Sequence, residues 1–266
     1  MKRFFFLAVL LLTLSQGCKK KDKVEGDCAL ATLTRYRGTS TTPEYIQQFQ
    51  FNPDGTLLNF ASGQYLAQYS YSGSQIKITT SFNDLVTLDL QGGKVVKSLF
   101  NTNEAAYTYA ADGTLSLIKK LGPMGNVSSS LTLNYANGNL IKAVLRDANN
   151  AVYSTYEWEY GAELSNPNMW FVSEGLNTLV GMGVYAPLKY FGSLSKNLAT
   201  KFTLSFTPDV NGRANRNEQT YAYTKDSNGN IVEISGQYYT NEYTNGVLTY
   251  SGTKFNETYK LTYTCK

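Results

Sequence analysis

Histidine is absent from all 266 residues. That removes Ser-His-Asp and Cys-His catalysis, and with them the commonest protein ligand of transition metals. Cysteine occurs three times, as Cys18, Cys28 and Cys265. Two cysteines at opposite ends of a chain do not make a zinc site, which takes four ligands in closely spaced pairs. A basic face is missing too. Beyond residue 23 the chain carries 18 basic and 19 acidic residues, so a nucleic-acid reader, which needs clustered positive charge, is excluded. The nearest approach to a calcium loop is Asp226-Ser-Asn228-Gly229-Asn230, but Gln237 stands where the closing glutamate belongs. A hairpin turn accounts for the same residues. Ser116-x-x-Lys119 and Ser193-x-x-Lys196 have the spacing found in penicillin-recognising enzymes and lack the partner motifs. No catalytic residue, metal or cofactor is assigned.

What is present begins at the N-terminus. Lys2 and Arg3 precede an apolar run over residues 4–14, and Ser15, Gln16 and Gly17 follow. This is the pattern of a secretory signal. The run is eleven residues long, against about 20 for a membrane-spanning helix. Leu14-Ser15-Gln16-Gly17-Cys18 resembles the lipobox of bacterial lipoproteins, with the leucine one place further from the cysteine than usual. The resemblance implies an acyl-modified Cys18 as the new N-terminus. Several acyl chains hold a protein on a membrane without a helix, since each buried methylene contributes about 0.8 kcal/mol. The expected organisation is a signal at 1–17, a lipidated tether at 18–27 rich in lysine, and one all-β domain at 28–266. The expected location is the cell envelope, anchored by lipid to the outer membrane. In that oxidising compartment the remaining pair, Cys28 and Cys265, is expected to form a disulfide.

The body of the chain repeats one pattern. Apolar or aromatic residues alternate with polar ones, a glycine-containing turn follows, and a second alternating run begins. Examples are Tyr69-Ser-Tyr71 before Gly73, Tyr107-Thr-Tyr109 before Asp112-Gly113, Leu133-Asn-Tyr135 before Asn137-Gly138, and Tyr243 before Asn245-Gly246. Period-two alternation marks half-buried strands, and Asn-Gly or Asp-Gly marks tight hairpins. Seven such units occur between Phe49 and Tyr250. The expected fold is a long antiparallel meander curled into a barrel-like sheet, because so many strands do not lie flat.

The Tyr-x-Tyr and Asn/Asp-Gly series behind a lipoprotein signal resembles a family of bacterial lipoproteins of unknown function with a porin-like fold. The resemblance covers residues 28–265 and includes Ser195-Lys196-Asn197-Leu198 and Tyr263-Thr264-Cys265. A looser likeness is to the tyrosine-aspartate repeats of large toxin shells. The porin-like fold is not expected to make a pore. Many runs are shorter than the 9–11 or so residues of a membrane strand, and an integral barrel needs no acyl anchor.

Residues 161–200 depart from the repeat and are expected to form a helix-and-loop insertion, with Leu176, Leu179, Val180 and Val184 on one side of a short helix. Trp170 and Tyr190 are its candidate ligand-binding or plugging residues. Three functions remain open: a non-enzymatic binding or interaction module with a glycan or envelope-protein ligand, a purely structural lipoprotein, and a glycan hydrolase using carboxylates such as Glu157 and Glu159. The last is disfavoured, because those glutamates alternate with Tyr156, Trp158 and Tyr160 and so share an exposed strand face.

Overall fold

The computed structural model describes residues 28–164, 188–192 and 195–265. All seven hairpins expected from the sequence are formed. The first strands are β1 (Cys28–Arg37), β2 (Tyr45–Phe51), β3 (Leu57–Ser62), β4 (Tyr65–Ser72), β5 (Gln75–Thr80) and β6 (Leu85–Gln91). Then come β7 (Lys94–Phe100), β8 (Asn103–Tyr109), β9 (Leu115–Leu121), β10 (Val127–Ala136), β11 (Asn139–Asp147) and β12 (Val152–Leu164). The last are β13 (Asn197–Phe206), β14 (Arg213–Thr220), β15 (Ala222–Lys225), β16 (Ile231–Thr244) and β17 (Val247–Cys265). Neighbours in sequence pair antiparallel, and β1 closes the ring against β17 from Cys28↔Cys265 to Arg37↔Glu257. β14 and β15 are one stave broken at Tyr221, because both pair with β16. Gly236 of β16 permits the break: a Cβ there would collide with the Thr220 carbonyl oxygen. The result is a closed up-and-down barrel of sixteen staves.

The turns follow from their residues. Asn137-Gly138 and Asn245-Gly246 have φ values of 53° and 78°, and of 52° and 79°, the left-handed pair that a primed two-residue hairpin requires. Because the staves alternate in direction, the barrel has two distinct ends. End A carries both chain ends of the domain, the β2–β3, β4–β5, β6–β7, β8–β9, β10–β11 and β15–β16 turns, and the long β12–β13 connection. End B carries the remaining turns, including β13–β14 and β16–β17.

Alternation then decides what lies inside. Ile76, Ile78, Val86, Leu88 and Val95 have 0% of their surface exposed, so the walls close on one another through their inward side chains. The outward face is charged, and ion pairs cross it between staves: Lys97 to Glu104 at 2.7 Å, Lys142 to Glu157 at 3.1 Å and Lys201 to Glu218 at 3.2 Å. Such exposed pairs stabilise by about 0–1 kcal/mol each. Turned toward lipid, each charge would instead cost up to about 2–4 kcal/mol. The barrel therefore has the topology of a porin with the polarity reversed, apolar within and charged without.

The Tyr-x-Tyr repeat has a structural cause. Tyr71 donates its hydroxyl to the Leu57 carbonyl at 2.8 Å, Tyr109 to Val95 at 2.7 Å and Tyr160 to Leu140 at 2.7 Å. Tyr223 donates to Ala199 at 2.6 Å and Tyr263 to Ile231 at 2.8 Å. Each acceptor sits directly beyond a register shift, at Phe51↔Leu57, Leu90↔Val95, Tyr135↔Leu140, Tyr160↔Ala199 and Lys225↔Ile231. A bulge takes a carbonyl out of the ladder, and a buried carbonyl needs a donor. The second tyrosine of the repeat supplies it, forming a girdle around end A.

The departure from the repeat is narrower than the sequence indicates. Residues 161–164 still belong to β12, and 197–200 already belong to β13. Between them the described structure is a 3₁₀ turn, Leu188–Phe191. Residues 176–184, the expected helix, lie outside the described residues.

Candidate functional site

End A is sealed. Cys28 and Cys265 form a disulfide there. Phe191 is buried, with its ring edge-on to Tyr107 at 5.1 Å between centroids. Tyr190 is half-buried, 6.1 Å from the Tyr71 ring, and burial raises its pKa, with the Asp54 charge adding to the shift. Ser195, Lys196 and Asn197 dock on the β10–β11 hairpin. The Lys196 amide donates to the Gly138 carbonyl at 3.0 Å, and Asn197 pairs with Asn139 through backbone and side chain. Of the residues singled out in the sequence, Tyr190 thus lies at end A beside Tyr71, while Cys18 and Trp170 lie outside the described residues.

Midway along β17 the packing turns polar. Glu257 is 1% exposed and holds three partners. Arg35 donates to one carboxylate oxygen, while Gln219 at 2.7 Å and Tyr259 at 2.9 Å donate to the other. Tyr221 donates to the Gln219 amide oxygen at 3.1 Å. Burial opposes the charge on Arg35, but the bond to Glu257 and the surrounding acidic groups outweigh it and raise its pKa. Arg37 lies 3.8 Å over the Phe255 ring, which stacks on Tyr238 at 5.0 Å. Removing one member of a buried pair strands the other. Glu257→Ala should therefore lower stability by about 3–5 kcal/mol in a urea titration. The double change Arg35→Met with Glu257→Leu should recover most of it, since no charge is then left buried.

Beyond this layer the inner face leads to a groove at end B. On β16 the inward positions run from the fully buried Ile234 through Gly236, Tyr238 and Thr240 to the exposed Glu242. The groove encloses about 840 Å³ and is lined by Tyr153, Phe206, Asp209, Arg213, Asn215, Glu242 and Tyr250 among others. Asn215 pairs with Glu242, and Glu242 with Tyr250, so the three share one face of the sheet. The walls are fixed. Thr207 bonds to the Tyr153 and Val152 carbonyls, and the Asn245 amide donates to the Gly212 carbonyl at 2.8 Å. Asp209 accepts the Arg213 and Asn211 amides, which hold its carboxyl below the usual range.

End B is also where the apolar surface gathers. Of the fifteen exposed large apolar side chains among the described residues, all but Leu58 and Ile141 stand at this end. Those two are the extra residues of end-A bulges. None of the groove residues is among the candidates singled out in the sequence. Their signal is weak, because Asn215 and Glu242 look like the ordinary polar face of a strand until the register turns them inward.

Residues 45–233 match the family described as a domain of unknown function (DUF4595) with porin-like fold. The chain belongs to this family. A crystal structure of a porin-like protein from Bacteroides uniformis ATCC 8492 is similar, with a TM-score of 0.62 at 17% identity over 88% of this chain and 98% of that one. At that identity the likeness is one of fold. A structure of TcdB2-TccC3-TEV aligns at 13% identity over 79% of this chain and 11% of that one, with a TM-score of 0.27, too low to carry an argument. No curated protein matches.

In this DUF4595 chain the carboxylates weighed for hydrolysis lie apart from the groove. Glu157 and Glu159 face outward beside Lys142 at 3.1 Å and Lys201 at 3.7 Å, while Tyr156 and Trp158 are buried. Asp226 closes the β15–β16 turn by accepting the Asn228 and Asn230 amides, at 2.8 and 2.9 Å. Ser116 donates to the Thr108 carbonyl across the β8–β9 hairpin. Among the described residues no group of three or more metal-ligating side chains converges.

Proposed function

We propose that the protein is a non-enzymatic binding module of the cell envelope, tethered by lipid at Cys18 and taking its ligand at end B. The observation that carries this is that thirteen of the fifteen exposed large apolar side chains among the described residues stand at end B, around a groove larger than the end-A cavity and opposite the end where Cys28 continues into the tether. Two of these side chains, Tyr153 and Tyr250, line the groove itself, where apolar surface beside polar groups suits a contact site. The filled interior keeps a ligand out of the barrel body and leaves the mouth as the place for one.

Two measurements test the reading. Labelled palmitate should enter the full chain in cells and fail to enter Cys18→Ser; equal labelling of both would remove the tether. For binding, the melting temperature should be followed against soluble glycans and peptides of the envelope. A ligand at 100 times its Kd contributes about 2.7 kcal/mol, or a shift of several degrees. If no member of either class raises the melting temperature, the packed interior favours the second reading, a purely structural envelope lipoprotein.

A further inference from the structure

We infer that the end-B groove is a saccharide site, taking a neutral polyhydroxyl chain whose sugar rings stack on Tyr153 and Tyr250 and whose hydroxyls bond to Asn215, Glu242 and Asp209. The inference rests on the binding-module reading and names its ligand class. The groove volume, about 840 Å³, falls in the range of small-ligand sites, roughly 300–1,000 Å³.

The lining decides among ligand classes. Two carboxylates, Asp209 and Glu242, face one guanidinium, Arg213, which disfavours phosphates and polyanions. The apolar lining is aromatic, with Ala214 its aliphatic side chain, and it alternates with Asp209, Arg213, Asn215 and Glu242, so an acyl chain would have to strip water from charged groups along its length. A peptide strand would need free backbone at the site. β14 is already paired on both edges by β13 and β16, and β16 by β14 and β17.

What the groove offers is aromatic surface beside planar acceptors and donors. Tyr153 is 58% and Tyr250 56% exposed, leaving ring area to cover the apolar C–H face of a pyranose. An aromatic with a polar tip suits a ligand that is apolar on one face and wet at its edge. A carboxylate or amide can bond two vicinal hydroxyls at once, and a charged acceptor makes the stronger bonds. The walls tied through Thr207 and Asn245 form the groove in advance, so little ordering cost falls on binding.

The test is affinity electrophoresis of the 28–266 domain in native gels containing soluble β-glucan, α-glucan, mannan or xylan, with isothermal titration of N-acetylglucosamine oligomers alongside. Retardation or heat with at least one of these is expected. Tyr250→Ala and Glu242→Gln should each weaken that binding by at least about tenfold. Their melting temperatures should stay near the parent's, because both side chains are exposed. Tyr153→Ala serves as the second ring variant. Binding that survives both tyrosine changes would overturn the site. A tryptic casein digest is run as the peptide probe. If it binds, no saccharide does, and Tyr250→Ala abolishes that binding, the saccharide inference falls and the binding module stands. If neither class binds the folded domain, both fall.

Discussion

Raising the pH above 10 should unfold the barrel within about two pH units. Burial lifts the phenols of Tyr69, Tyr107, Tyr135, Tyr160 and Tyr223 above their ordinary value, Tyr107 and Tyr160 to about 12. A pKa raised in the folded state is a contribution present below the unfolded value and lost above it. Below about pH 10 both states hold the phenolic proton, and the hydroxyls bond as described. Above it the unfolded chain ionises freely while the folded chain must keep its protons. Each such tyrosine then removes about 1.4 kcal/mol per pH unit, and five together about 7 kcal/mol. A domain typically has about 5–15 kcal/mol to lose. Tyr160 and Tyr223 donate to bulge carbonyls, so their ionisation also strands buried acceptors. Phenolate absorbance near 295 nm and the far-ultraviolet strand signal should therefore change together. A smooth phenolate titration with the strand signal intact would contradict the girdle. Tyr160→Phe should lose stability at pH 7 through the orphaned Leu140 carbonyl, and should show a shallower alkaline slope.

That girdle also shows how far the sequence could be read. The hairpins were legible because Asn-Gly and Asp-Gly turns act locally, and strand alternation is a nearest-neighbour property. Curling was foreseeable from the number of strands, whereas closure rests on the β1–β17 ladder, which strand counting does not specify. The reason for the second tyrosine in each repeat was not legible, since its acceptor belongs to the neighbouring stave and exists only where a bulge frees a carbonyl. The same limit hid the buried carboxylate. Glu257 sits in Asn-Glu-Thr-Tyr, which alternates like any exposed strand segment, yet it is 1% exposed because Gly236 and Arg37 stand beside it in the ladder. The end-B groove depends on three separate hairpins arriving at one register. Which face turns inward was not legible, because the same alternation fits a barrel with either face inside; the structure puts the apolar side chains within and the ion pairs without.

Removing the seam disulfide should be the largest single covalent loss. Cys28→Ser with Cys265→Ser opens a loop of sequence separation 237, for which the chain-entropy argument gives an upper value of about 5 kcal/mol. For a domain of this length that corresponds to a fall in melting temperature of roughly 10–20 °C. The barrel should nonetheless stay closed at 25 °C and neutral pH. β1 and β17 share a ladder from end to end with a single shift between Leu30 and Thr32, and Leu30, Leu33, Tyr259 and Leu261 bury their side chains at the seam. The loss should therefore appear as a lower midpoint in a urea titration, with a steeper slope, because the folded surface is the same while the unlinked unfolded chain exposes more. Hydrogen exchange gives the local view. Amides of β1 and β17 should exchange faster than those of β5 and β6, with the increase greatest near Cys28 and Tyr263, where the bridge and the last girdle tyrosine close end A. Uniform acceleration across all staves would mean that the bridge acts on the unfolded chain alone. Acceleration confined to the seam, with the midpoint unmoved, would mean that the ladder already holds the ends together and the bridge only staples their last turn.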